Sequence, residues 1–108
     1  MAESVADAAV VAALAALDVR PDERVLIMLP DGPGFAEIFV AIMQRGAVPL
    51  PANPLLPAHD VAAAAVEAGA KLIVATVERI RVLASLDAEP PVLLHGPQGP
   101  WAAAVRLP

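Results

Sequence analysis

The 108-residue sequence lacks cysteine and tyrosine, and its only aromatic side chains are two phenylalanines and one tryptophan. The lack of cysteine excludes disulfide bonds, catalysis by a thiolate and zinc sites built from thiolates. Basic side chains are also few: seven Lys and Arg stand against twelve Asp and Glu, which gives a formal net charge of −5. Because a nucleic-acid-binding surface needs clustered cations to displace counterions, we expect no nucleic-acid partner.

Long hydrophobic segments are absent as well. The longest uninterrupted apolar run covers residues 8–17, far fewer than the roughly 20 residues that a membrane-spanning helix needs. A secretion signal starts with basic residues, whereas Glu3 and Asp7 precede this run. We therefore expect no membrane span, and a cytoplasmic location is the default expectation.

Apolar residues make up 58% of the chain, and many of them are alanine. Alanine has little surface to bury, and a core built from Val, Leu, Ile and Ala is typical of a sheet covered by closely packed helices. The length corresponds to one domain or to a part of a larger domain.

A first helix is predicted near the N-terminus. Ser4 followed by Asp7 is typical of a helix cap with an acidic first turn, and residues 18–22, which include Pro21, end the helix. Helical spacing predicts that the buried side consists of Val5, Ala8, Ala9, Ala12, Ala16 and Leu17.

The next segment predicts a strand, a turn and a helix. Residues 25–29 (Val-Leu-Ile-Met-Leu) are apolar without alternation, which is typical of a strand covered on both faces of a parallel sheet. Residues 30–34 are rich in Pro and Gly and predict a turn. Arg45 suits the negative end of the following helix, and Gly46 suits a left-handed C-cap. The apolar stripe predicted for this helix is Phe35, Ile38, Phe39, Ile42 and Met43.

The remaining elements continue the alternation of strands and helices. The pattern predicts strands over residues 47–50, 71–75 and 92–94, a helix over 60–68 ended by Gly69, and a helix over 77–86 capped by Thr76. This order predicts a three-layer α/β fold with a mainly parallel sheet of about four strands and flanking helices. Residues 1–95 form this scaffold in our interpretation, and residues 96–108 are a Pro-rich tail.

One turn lies where α/β folds bind phosphate. Residues 31–34 (Asp-Gly-Pro-Gly) stand between a strand and a helix N-terminus, where unpaired amides point outward. However, the GxGxxG spacing is missing, Pro33 has no amide hydrogen and Asp31 repels anions. The pattern favours a turn with a helix cap over a phosphate site.

The other candidate residues show no pattern typical of a catalytic or binding site. The Gly-Pro-rich residues 96–100 have no Lys or Ser/Thr partner, which favours a linker over a phosphate loop. The sequence predicts no catalytic, cofactor-binding or metal-binding residue among the two histidines, the two serines and the helix-surface acids: His59, His95, Ser4, Ser85, Asp60, Glu67, Glu78 and Asp87. Trp101 either packs back on the sheet of its own chain, which the sequence favours, or anchors a partner.

The sequence of residues 24–54 resembles the N-terminal region of the adenylate-forming superfamily, which includes acyl- and aryl-CoA synthetases and fatty acyl-AMP ligases. The similarity covers roughly residues 3–95. The matching segments, in order and spacing, are 25–30 (Val-Leu-Ile-Met-Leu-Pro), 32–33 (Gly-Pro), Phe35, 46–48 (Gly-Ala-Val), 51–54 (Pro-Ala-Asn-Pro) and 68–74 (Ala-Gly-Ala-Lys-Leu-Ile-Val).

The resemblance implies a reaction in which a carboxylate attacks ATP to give an acyl-AMP that a thiol or amine then captures. ATP, Mg and CoA are implied for full-length members, but the phosphate-binding loop and the catalytic lysine of those enzymes have no counterpart here. We therefore expect no cofactor and no catalytic residue on this chain, only the scaffold.

Two hypotheses about function remain open. The chain is a truncated N-terminal part of an acyl-CoA synthetase for a fatty or aryl acid, without catalysis of its own, or it is an autonomous binding or oligomerisation protein that keeps the scaffold. A flavodoxin-like binder unrelated to ligases is a third possibility. An uncovered flank of the sheet predicts self-association or binding to a larger ligase.

Overall fold

A computed structural model describes residues 8–76, Arg79 and residues 92–95. Three helices and four strands lie in this part of the chain. In chain order they are α1 (Ala8–Ala16), β1 (Arg24–Met28), α2 (Pro33–Gln44), β2 (Val48–Pro51), α3 (Ala58–Ala68), β3 (Ala70–Thr76) and β4 (Val92–His95). The predicted Ser4 cap, the helix over 77–86 and the tail 96–108 fall outside the described residues.

The four strands form one sheet in the order β2-β1-β3-β4, and all three neighbouring pairs are parallel. The chain leaves β1 through α2 to reach β2 on one side, and then crosses back through α3 to reach β3 on the other side. Such a sheet needs helices on its faces because each parallel connection has to pass over it. The prediction of a parallel α/β sheet is confirmed.

The helices divide between the two faces of the sheet and produce three layers, as the sequence predicts. On one face, α1 and α2 pack on alternate strand residues such as Val25, Ile27 and Val74. On the other face, α3 places Val61 and Ala65 against the intervening strand residues. The continuous apolar runs of β1 and β3 therefore have a physical reason: each side chain meets a helix, whichever face it points to.

The predicted buried side of α1 is wrong for its alanines, although Leu17, just past the helix, packs partly against the core; Val5 lies outside the described residues. Val10 and Leu14 are the fully buried residues of this helix, whereas Ala8, Ala12 and Ala16 are exposed. Helical spacing does not predict which side of a helix is buried when every side is apolar. The buried side is then set by the size of the side chains. Val and Leu remove more apolar surface from water than Ala does, and they turn toward the sheet.

The stripe of α2 is confirmed except at its last position. Ile38 and Ile42 are buried, and Phe35 and Phe39 pack partly against the same core. Met43 is 57% exposed instead and Ala41 is buried, because the buried side of the helix is centred on Ile38, Ala41 and Ile42, and Met43 points away from it. Gly46 has φ +79° just beyond this end, which fits the predicted left-handed cap.

Two arginines connect elements that are distant in the sequence. The Arg45 guanidinium donates from Nε to the Val19 carbonyl at 2.7 Å, and its Nη2 donates to the same oxygen. Arg24 donates from Nη1 to the Ala68 carbonyl at 3.1 Å, next to the left-handed Gly69 at the end of α3. The Ala68 carbonyl at the end of α3 and the Val19 carbonyl in the loop before β1 thus accept hydrogen bonds from side chains, where they would otherwise bind water.

Candidate functional site

The carboxyl edge of the sheet has the geometry that α/β folds use for binding. Along the chain β1 is followed by β2 on one side and β3 is followed by β4 on the other, so the strand order changes direction between β1 and β3, where a crevice lies at their carboxyl ends. Ligands of open parallel sheets bind in such crevices. The turn after β1 and Thr76, the last residue of β3, stand on the two sides of this crevice.

A cleft of about 160 Å³ occupies this position. Its floor and rim come from the end of β1, the turn and the start of α2, with Thr76 opposite. The lining residues are Leu29, Pro30, Asp31, Gly32, Pro33, Gly34, Phe35 and Thr76. The cleft is mainly apolar, and the Thr76 hydroxyl and the Asp31 carboxylate are its polar side chains.

The start of α2 contributes backbone amides to this cleft. Gly32 is the N-cap residue and makes no side-chain cap bond, and its carbonyl accepts the first helical hydrogen bond, from Ala36, at 3.1 Å. Pro33 occupies the first helical position and has no amide hydrogen. The amides of Gly32, Gly34 and Phe35 are therefore the ones at this helix start without an intrahelical acceptor.

These residues do not fit ATP. Among the described residues that line the cleft there is no Lys or Arg, and the exposed Asp31 places a negative charge at the start of α2, which disfavours a polyphosphate there. The removal of one amide by Pro33 weakens the helix terminus further as an anion site. The predicted turn with a helix start is present.

Two polar side chains at the same edge, one charged and one neutral, were not predicted as site residues from the sequence. The Arg79 guanidinium donates from Nη2 to the carbonyl of Leu56, in the loop between β2 and α3, and its buried Nε has no partner in the described part of the chain. Thr76 was predicted only as a helix cap, whereas it lines the cleft. Only the strand order could have pointed to these two residues, because it places the carboxyl ends of β1, β2 and β3 at one edge of the sheet.

The other candidate residues are not brought together. His59 is exposed, and its Nε2 lies 3.1 Å from the Asp60 carboxylate. Glu67 is exposed on α3, and His95 ends β4. Among the described residues no three His, Asp or Glu side chains are grouped to hold a metal ion. The predicted positions Ser4, Glu78, Ser85, Asp87, 96–100 and Trp101 lie outside the described residues.

Charge pairs concentrate at the opposite, amino edge of the sheet. Arg20 forms a two-point pair with Asp18, with Nε to Oδ1 and Nη2 to Oδ2 both at 3.2 Å. This hydrogen bond, together with the charge of the guanidinium, lowers the pKa of Asp18 below its ordinary value and raises the pKa of Arg20. Lys71 Nζ lies 3.9 Å from the Glu23 carboxylate nearby. These pairs lie in the loop before β1 and at the start of β3, away from the cleft.

The described helices are all too short or too polar to cross a membrane.

Comparison with known proteins places the sequence among ligases. The family model described as AMP-binding enzyme matches residues 5–102. A salicyl-AMP ligase / salicyl-S-ArCP synthetase of Mycobacterium tuberculosis is 38% identical over 89% of this chain and 19% of its own length. A 4-coumarate–CoA ligase of Pinus taeda is 35% identical over 72% of this chain and 14% of its own length.

A solved structure agrees with the fold. The acyl-CoA synthetase of Brucella canis superposes with a TM-score of 0.77 at 23% identity, over 90% of this chain and 17% of that one. The chain thus spans less than a fifth of the length of each of these proteins. The match decides against a binder that is unrelated to ligases. Since the family model covers residues 5–102, the chain belongs to the AMP-binding enzyme family.

Proposed function

We propose that this chain is the scaffold segment of an ATP-dependent acid–CoA or acid–AMP ligase and does not activate a carboxylate by itself. The observation that carries the proposal is a contrast within residues 5–102. The family match extends over every described strand and helix, yet none of the described residues that line the cleft at the carboxyl edge is a Lys or Arg that could bind a triphosphate. The activating groups then belong to other parts of the ligase, and ATP, Mg and CoA are bound there.

The acid is a fatty or aryl acid, and the names of the relatives favour the aromatic class. Salicylate and 4-coumarate, the acids in those names, are both aromatic carboxylic acids. In such an enzyme the described segment serves as a rigid support. Its buried sheet fixes the loops at the carboxyl edge, and the rest of the protein packs against these loops.

The partner in this proposal is the remainder of a ligase, and a second copy of the chain is the alternative. Several large apolar side chains are exposed on this chain, which supports the idea that a partner covers them. Leu55 is 76% exposed, Val66 is 78% exposed and Val11 is 38% exposed. In addition, α1 carries no charged residue from Ala8 to Ala16. A helix that is apolar on every side is typical of one packed on both sides.

A chimera tests this function. Residues 5–102 of this chain replace the matched segment of the Mycobacterium tuberculosis salicyl-AMP ligase, and salicylate-dependent ATP–pyrophosphate exchange is measured. We expect exchange within about tenfold of the parent, a loss of about 1.4 kcal/mol, with salicylate still preferred, because a scaffold segment leaves the reacting groups in place.

The matched control carries Ile27→Asp in the same chimera. Ile27 is fully buried in the sheet, so a carboxylate there disrupts the scaffold and abolishes exchange. A chimera that folds, shown by an unchanged circular dichroism spectrum and melting transition, but has no exchange contradicts the proposal. That result favours an autonomous binding protein that only keeps the scaffold.

A further inference from the structure

The backbone of β2 faces its neighbour through alternate residues. The Val48 amide donates to the Glu23 carbonyl and the Ala52 amide donates to the Ile27 carbonyl, both at 2.8 Å. In a strand the polar groups of successive residues point to opposite sides. Residues 48, 50 and 52 therefore direct their amides and carbonyls to β1, and residues 49 and 51 direct theirs away from it.

Both outward positions are prolines. Pro49 and Pro51 have no amide hydrogen, so the outer side of β2 offers their two carbonyl oxygens and no donor. The preceding amide, that of Ala47, is already used, because it donates to the Ile42 carbonyl at 3.1 Å. From residue 47 to residue 51 the edge is thus a row of acceptors.

We infer that the outer edge of β2 is closed to a second copy of this chain: it presents carbonyl acceptors without amide donors, so no further strand extends the sheet there. An incoming strand presents carbonyls as well as amides, and opposite Pro49 and Pro51 its carbonyls find no donor. Copies of this chain therefore do not join through β2. This inference follows from the register of β2 and does not depend on the proposed ligase function.

A double variant reverses this property. Pro49→Thr with Pro51→Thr restores two outward amides on a residue type that suits strands. Sedimentation velocity over a concentration series then measures self-association. We expect the association constant of this variant to rise about tenfold or more above that of the natural chain, because two inter-strand hydrogen bonds become available.

The matched control is Pro54→Thr with Pro57→Thr, which makes the same change of composition in the loop after β2. We expect this control to associate like the natural chain. An edge variant that folds and associates no more than the control overturns the inference. Should the double variant not fold, the single Pro51→Thr variant is compared with Pro54→Thr, and equal association of these two overturns it as well.

A second measurement examines the natural chain directly. Amide hydrogen exchange followed across the same concentration series reports whether loop and strand amides around β2 become more protected as concentration rises. We expect no such change at Asn53, the first residue after Pro51 that can direct an amide away from β1, since the amides of Val48 and Leu50 already face β1. Added protection confined to this edge in the natural chain contradicts the inference, because it means that the edge does take a partner strand.

Discussion

Two aspartates hold left-handed backbone conformations where the chain passes from α1 to β1. Asp18 has φ +59° and Asp22 has φ +71°, a region that Asp and Asn tolerate better than most residues with a side chain. Asp18 also carries the pair with Arg20. The side chain and the backbone of one residue therefore both fix this turn, although the sequence predicts here only the end of a helix.

The pair with Arg20 predicts a dependence of stability on pH. The pKa of Asp18 is lowered in the folded chain, first by the hydrogen bond from Arg20 and then by its charge. A lowered folded pKa gives stability that is present above the unfolded pKa, near pH 4, and is lost as the pH falls through the folded value. We expect the difference in free energy of unfolding between the natural chain and Asp18→Asn to be small, since the pair is exposed, and to disappear in acid.

Urea unfolding at a series of pH values from 7 to about 3 checks this prediction. Asn keeps the tolerance for a left-handed backbone, so the variant isolates the charge. Arg20→Gln is the matched control and should show the same disappearance, because it removes the other half of the pair. A difference that stays constant into acid would show that the Asp18 carboxylate contributes nothing.

Arg45 illustrates what residue types alone do not reveal. Its place at the end of α2 predicts an interaction with the negative end of that helix. The side chain instead extends to Val19, in the loop before β1. The position of the residue was predictable, but its hydrogen-bond partner depends on the packing of α1 against α2.

At the scale of elements, α1 shows where sequence patterns lose their power. In α2 the Phe and Ile residues stand at helical spacing, and the prediction placed the helix correctly to within two residues at each end. In α1 every position is apolar, so the pattern contains no direction and the predicted buried side was wrong. The larger side chains set the orientation of α1, and this orientation becomes apparent only when the helix is packed against the sheet.

A pair of neighbouring valines tests this orientation of α1. Val10 is fully buried and Val11 is 38% exposed. We expect Val10→Ala to lower the free energy of unfolding by about 2 kcal/mol, through lost apolar contacts and a small cavity. Val11→Ala should change it by less than about 0.5 kcal/mol, since Ala is also the better helix former.

Urea or thermal unfolding of the two variants measures the difference, and the chemical change is the same in both. Equal losses would mean that α1 is covered on both sides in the isolated chain. A larger loss for Val11→Ala would mean that the helix is turned toward the sheet by its other side.

At the scale of the whole molecule, the architecture was predictable and the site was not. Alternation of apolar strands and helices dictates a parallel three-layer sheet, because only helices can return the chain over its faces. The strand order is a long-range property. It depends on the side of β1 to which β3 returns, and without it nothing in the sequence connects the turn after β1 with Thr76 or Leu56 with Arg79.

The central claim is that the segment provides a sheet and its covering helices for a ligase, while carboxylate activation needs groups from outside it. ATP–pyrophosphate exchange by the pure 108-residue chain tests this most directly. The assay contains salicylate, 4-coumarate or a medium-chain fatty acid with Mg²⁺, and the Mycobacterium tuberculosis ligase serves as the positive control. We expect no exchange above the background of the Ile27→Asp variant with any of these acids. Exchange that depends on an added acid and is lost in Ile27→Asp would contradict the account.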